Sequence, residues 1–290
     1  MLTALLKTMR PRQWVTKNIF IFAAIVFDKQ LFVVDSFLRT LAGFALFCLI
    51  SSSVYIFNDI ADVEADRQHP KKKDRPIPSG KLPIPAAWTA GILLTTITLI
   101  TGYLLAPSFA YVIGLYFLLN VAYSNWLKHI PIIDVFIISA GFVLRVHAGV
   151  TLIQVERFSP WLYVVMTLLS LFLGFGKRRA ELALLAQGAG SHRKVLDGYT
   201  LPLLDQYIMI VSSTTIIAYS LYTFSAPNVP KNDSMMLTIP FVVYTIFRYL
   251  YLIEVKQAGG APEEILLSDR PFQVAMILWG AAVLAIFYLS

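Results

Sequence analysis
The chain has 290 residues, 57% of them hydrophobic and 14% charged, with a formal net charge of +7 and a mean hydropathy of +0.68. Soluble domains carry about 25% charged residues, so the composition excludes one or two soluble domains and points to a polytopic membrane protein, one domain over 1–290. The lone cysteine, Cys48, excludes an intrachain disulfide or thiolate cluster, and the surplus of Lys and Arg reads as topology, not as nucleic-acid binding.

The opening stretch MLTALLKTMRPRQW has no long apolar run with a small-residue cleavage site, so no signal peptide is expected. A helix needs about 20 mostly apolar residues to cross a bilayer. Nine such runs follow, near 18–34, 37–57, 88–106, 108–127, 131–150, 160–177, 205–225, 235–254 and 272–289. With the N-terminus placed in the cytoplasm, 18 of the 24 basic residues fall on the cytoplasmic side and four on the other. The positive-inside rule then predicts N-terminus in and C-terminus out, with the site facing the cytoplasm of a plasma-membrane protein. Arg145 and Arg248 fall inside spans. A buried arginine needs a partner, and for Arg145 the sequence names none. The outer connections are short, that at Ala106-Pro107-Ser108 barely a turn. The inner ones, 58–87, 178–204 and 255–271, are long and hold nearly all the polar chemistry.

The second run ends in NDIADVEADRQHPKKKDRP, residues 58–76. On a helix, Asp59, Asp62 and Asp66 would fall within about 60° of one another and rise over about 10 Å. Such carboxylates repel unless a cation lies between them. A hard divalent ion is held by one or two carboxylates and shares the rest of its shell with phosphate oxygens, so the spacing suits a magnesium-bridged diphosphate. Asn58 adds an amide, and Lys72, Lys73 and Arg75 are counter-charges for the anion. An acidic helix end before a basic loop can also be a plain solvated turn. Against that, these carboxylates begin at the membrane boundary, where charge is costly.

The pattern NDxxDxxxD followed by HPxKxxRPxxxG, here Asn58, Asp59, Asp62, Asp66, His69, Pro70, Lys72, Arg75, Pro76 and Gly80, resembles the first signature of the UbiA superfamily of intramembrane prenyltransferases. The resemblance implies an all-α integral membrane protein, a nine-helix bundle with cytoplasmic cap loops. It also implies an isoprenoid in a lateral cavity and Mg²⁺ (Mn²⁺ as an alternative) held by Asp59, Asp62 and Asp66.

Members using a prenyl diphosphate donor carry a second motif, DxxxD, after the sixth span. Here no aspartate lies between Asp134 and Asp197, and Lys177, Arg178, Arg179 and Glu181 stand in its place. Cations thus replace carboxylate and metal as phosphate ligands. Together with RPRQW (10–14), Lys17-Asn18, RKVLDGYT (193–200) and GGAPEE (259–264), this resembles the polyprenyl-phosphate phosphoribosyltransferase branch. That branch implies a pentosyltransferase moving 5-phosphoribose from 5-phosphoribosyl-1-pyrophosphate to a polyprenyl phosphate such as decaprenyl phosphate. Its product is a cell-wall precursor.

The expected substrate contacts are Lys17, Asn58, Lys72, Arg75, Lys177, Arg178, Arg179, Glu181 and Tyr199. Successive residues turn by 100°, so Lys177, Arg178 and Arg179 do not all face one cavity, and Glu181 suits an i,i+4 pair with Lys177. Asn125 and Asp134 lie at a depth to support the site or simply to pack and cap. A prenyltransferase of the same fold is the alternative, and a transporter or lipid carrier is the non-enzymatic one. The expected partners are the two substrates and the bilayer, with no nucleic acid; a homo-oligomer is compatible.

Overall fold
The computed structural model describes residues 1–69, 72–155, 158–186, 193–256, 265 and 268–289. Among them the secondary structure is helical. Two short helices, α1 (Leu2–Met9) and α2 (Arg12–Asn18), flank an elbow at Arg10-Pro11, and a 3-10 turn (Ile19–Phe22) and α3 (Ala23–Phe27) follow. The remaining helices are α4 (Val34–Ala61), α5 (Val63–Gln68), α6 (Ile84–Leu105), α7 (Pro107–Asn125), α8 (Ile133–Val150), α9 (Pro160–Ala186), α10 (Leu201–Ser225), α11 (Ile239–Glu254) and α12 (Arg270–Leu289).

Eight helices among the described residues are long and apolar enough to cross a membrane: α4, α6 to α10, the Ser234–Glu254 stretch containing α11, and α12. Each matches a predicted span. The first predicted span, 18–34, does not form one helix, so the expected nine become eight long helices and an interrupted run. That run ends at Phe27, and Lys29 takes a left-handed φ of 57°. The break from α2 to the 3-10 turn falls at Asn18, which is 1% exposed. Its Oδ1 accepts from Arg145 Nε at 2.9 Å and Ser51 Oγ at 3.4 Å, while its Nδ2 donates to Cys48 Sγ at 3.3 Å. The break thus coincides with a buried side chain engaged on both its amide atoms.

The chain divides into two compact units. The first comprises residues 1–25, 30–128 and 144–155. Its centre is α4, against which α1, α2, α6 and α7 pack. The apolar window of α4 is 56% buried and that of α6 only 17%, so α6 is the outward helix, and its exposed Ile92, Leu93, Ile97, Ile100 and Leu104 suit a lipid surface. The core joins Ile21, Phe47, Ile50, Phe109, Ile113, Tyr116 and Leu152. Gly149 permits the closest approach: a Cβ there would run into the Ile21 carbonyl. Arg145, 5% exposed, acquires the partners the sequence did not name: Asn18, Tyr116 OH at 2.9 Å, and the faces of Phe47 and Tyr116.

The second unit comprises residues 26–29, 129–143 and 156–290. In it α10 packs on α9 and α11, and α11 on α12. Its core gathers Phe172, Phe175, Tyr199, Leu204, Ile246, Tyr249 and Phe272. The 3-10 turn at Lys194–Gly198 brings Gly198 onto the Pro131 ring, where a Cβ would collide with it.

Candidate active site
At about 1.5 Å per residue the 28 residues of α4 extend about 42 Å, more than the roughly 30 Å hydrocarbon core. Asn58 and Asp59 lie in its last turn. The helix does not continue through the motif. Asp62 ends α4 and begins α5 with φ −93° and ψ 7°, so the single face predicted for the three aspartates is broken. Asp59 and Asp66 converge, each 2% exposed. Arg75 Nη1 lies between them, 3.1 Å from Asp59 Oδ1 and 2.8 Å from Asp66 Oδ2. Lys72 Nζ is 3.3 Å from Asp66 Oδ1. Asp62, with a side chain 39% exposed, pairs instead with Lys128 at 2.6 Å. Asn58 Oδ1 accepts a short hydrogen bond from Ser124.

Two cations of this cluster were not expected from the sequence, Lys128 and Arg10. Arg10 Nη2 stands 2.6 Å from Asp59 Oδ1. The quoted RPRQW stretch contained the signal for Arg10 without its partner. Lys17, which was expected, donates to Gln13 at 3.1 Å and lies over the Tyr55 ring at 5.9 Å.

No group of three or more His, Cys, Asp or Glu among the described residues is arranged to hold a metal ion by itself. Two converging buried carboxylates with guanidinium and ammonium groups beside them fit a hard cation whose remaining ligands are phosphate oxygens. They do not fit an all-protein cage.

The other expected residues lie in the second unit. Arg178, 2% exposed, is held by the fully buried Asp134, Nε to Oδ2 at 2.6 Å, and by Glu181 at 2.6 Å. Glu181 is thus the partner of Arg178, at i,i+3, and Arg193 lies 3.8 Å away. Tyr199 donates its hydroxyl proton to Asp134 Oδ1 at 2.7 Å and accepts from the Ile132 N–H at 2.5 Å. Burial pushes the Tyr199 phenol above its ordinary pKa; the Ile132 N–H opposes the shift and Asp134 adds to it. Arg179 points elsewhere, to Asp205 at 2.5 Å and Glu254 at 2.8 Å. Lys177 is half-buried. Arg178 and Arg179 therefore diverge, as the 100° turn between successive residues requires. Asp134 is the hub of this network, and Asn125 bonds back to its own helix at Val121. The GGAPEE stretch and Pro70 lie outside the described residues.

Fold and cluster together define a multi-pass helical membrane protein with a carboxylate and guanidinium site at the end of an inner helix. The UbiA prenyltransferase family matches residues 19–181, and the chain belongs to that family. Over 308 aligned residues it is 34% identical to decaprenyl-phosphate phosphoribosyltransferase of Mycolicibacterium smegmatis, covering 100% of this chain and 94% of that protein. The Corynebacterium glutamicum protein of the same name is 33% identical, covering 98% and 87%. In fold, the chain superposes on a UbiA homolog from Archaeoglobus fulgidus, solved with DMAPP and Mg²⁺, with a TM-score of 0.74 over 99% of both chains at 18% identity.

Proposed function
We propose that this chain transfers 5-phosphoribose from 5-phosphoribosyl-1-pyrophosphate to the phosphate of a polyprenyl phosphate, releasing pyrophosphate. The observation that carries the reading is the likeness over the whole chain to phosphoribosyltransferases of decaprenyl phosphate. The site chemistry agrees with it. A lipid phosphate is already anionic at neutral pH, so its oxygen attacks the ribose anomeric carbon without a strong general base. The bond from that carbon to the pyrophosphate oxygen breaks, and the electron pair leaves with pyrophosphate, with inversion through an oxocarbenium-like transition state.

Catalysis then consists of placing the two phosphorylated reactants and neutralising the leaving group. Asp59 and Asp66, the converging pair, are the residues that would hold Mg²⁺, which when bound supplies positive charge to the departing pyrophosphate. Arg75 and Lys72 add fixed positive charge beside the buried pair, and Asn58 and Lys17 complete the contacts to the donor. The basic residues concentrated in 58–87 and 178–204 support a site that faces the cytoplasm from the plasma membrane.

The test is transfer itself. The purified chain in liposomes with decaprenyl phosphate, Mg²⁺ and ribose-labelled donor is expected to place label in the lipid and release one pyrophosphate per transfer. Unlabelled lipid, with a prenyl diphosphate and an aromatic acceptor consumed in a parallel incubation, would assign the chain to prenyl transfer.

A further inference from the structure
Asp59 is met by two guanidinium groups. Arg75 bridges it to Asp66, and Lys72 adds a second cation at Asp66. Those two cations balance the two buried carboxylates. Arg10, from a different part of the chain, is a third positive charge where neutralisation does not require one. Its side chain remains 26% exposed while Asp59 is 3% exposed.

Arg10 is also held as a purpose-built contact is held. It ends α1 in the left-handed region, at φ 55° and ψ 58°, a conformation uncommon for a side-chain-bearing residue. The elbow is fastened to α4 by a closed set of hydrogen bonds. Trp14 Nε1 donates to the Met9 carbonyl at 3.2 Å and to Ser52 Oγ at 3.1 Å, and Ser52 donates to the same carbonyl at 3.2 Å. The guanidinium carbon lies 4.7 Å from the centre of the Tyr55 ring. Lys17 approaches that ring at 5.9 Å. A guanidinium stacked on a ring keeps its N–H donors in its own plane, and it has five of them, of which those on Nη2 face Asp59.

We infer that Arg10 is a phosphate-binding residue of this site, pre-set on Tyr55 to grip a phosphate or diphosphate brought to Asp59 and Asp66. The assignment rests on the proposed function for the nature of the ligand, which is either the donor's pyrophosphate or the acceptor's lipid phosphate. A guanidinium fork matches both.

The test measures binding without turnover. Wild type, Arg10→Gln and Arg10→Lys are reconstituted in lipid nanodiscs. Inorganic pyrophosphate with Mg²⁺ is titrated by calorimetry, decaprenyl phosphate is titrated separately, and thermal melting reports folding. Loss of a charge-assisted contact is expected to weaken one ligand about 10- to 100-fold in Arg10→Gln, with partial recovery in Arg10→Lys. A deficit confined to pyrophosphate assigns Arg10 to the donor, and one confined to the lipid assigns it to the acceptor. Folded Arg10→Gln that binds both as wild type does overturns the inference. If Arg10→Gln does not fold, wild-type affinities for both ligands in folded Arg10→Met, which also lacks the charge, overturn it equally. Wild-type chain that binds pyrophosphate yet transfers no phosphoribose would defeat the proposed function alone.

Discussion

Arg178 and Asp134 meet at 2.6 Å in the second unit, with side chains 3% and 0% exposed. Removing one partner of such a pair leaves the other charge buried and unpaired, at a cost of about 3–5 kcal/mol. Arg178→Ala should therefore lower the melting temperature of the purified protein sharply. Asp134→Asn with Arg178→Met should recover part of that loss, because the fully buried carboxylate is then removed with its partner. An unchanged melting curve for Arg178→Ala would show that the pair is not structural.

Tyr199 holds the 193–200 segment to the same hub. Its hydroxyl also satisfies the N–H of Ile132, a β-branched residue at φ 71°, a conformation that costs on the order of 1–3 kcal/mol. Tyr199→Phe removes both bonds and leaves the Ile132 N–H and a carboxylate oxygen of the fully buried Asp134 short of a partner, about 1–3 kcal/mol. Hydrogen exchange at Ile132 and across 194–198 should accelerate, while α10 keeps its protection. Protection unchanged at Ile132 would refute the latch.

Arg75 is the only residue in the described structure seen bridging Asp59 and Asp66. Arg75→Lys keeps the charge but has one nitrogen with different reach. Transfer should fall by about 10²–10³-fold, the range for losing one preorganised donor to developing negative charge. The deficit should appear in kcat and not be rescued by excess donor. A pure rise in KM would mean that Arg75 binds the ground state alone.

Asp269 precedes α12 and has two tasks. It accepts from the Phe272 N–H at 2.9 Å and from Arg248 through both oxygens, at 3.1 and 2.8 Å. The Arg248 hydrogen bonds hold its carboxyl below the ordinary carboxylate pKa. A lowered folded-state pKa contributes stability that is complete above the unfolded value, about 3.9, and is lost as pH falls through the folded one. Melting of wild type relative to Asp269→Asn should then be constant from pH 5 to 8 and converge only below about pH 4. Asp269→Ala should cost about 1 kcal/mol more than Asp269→Asn, which keeps a cap acceptor. A difference that titrates near neutrality would place the effect elsewhere.

Much of this molecule is written locally in its sequence. Hydropathy over about 20 residues is enough to locate a spanning helix, and eight of the predicted runs became single helices. The turn at Ala106-Pro107 followed from a proline that suits the first helical position. The acidic motif, too, could be read as a place for a diphosphate because its residue types and spacing carry that chemistry. What local sequence did not determine is which charges meet. Arg10 and Asp59 are 49 positions apart, Lys128 and Asp62 are 66, and Arg145 and Asn18 are 127. Helical periodicity placed three aspartates on one face, yet a break at Asp62 buried two of them and turned the third to Lys128. It left the first predicted span whole, yet the α-helix gives way to a 3-10 turn at the buried Asn18. Apolar length is a property of a segment, so the sequence alone determined the membrane helices. Partnership of buried charges depends on how distant segments pack in a medium without water, and only the tertiary structure decided that.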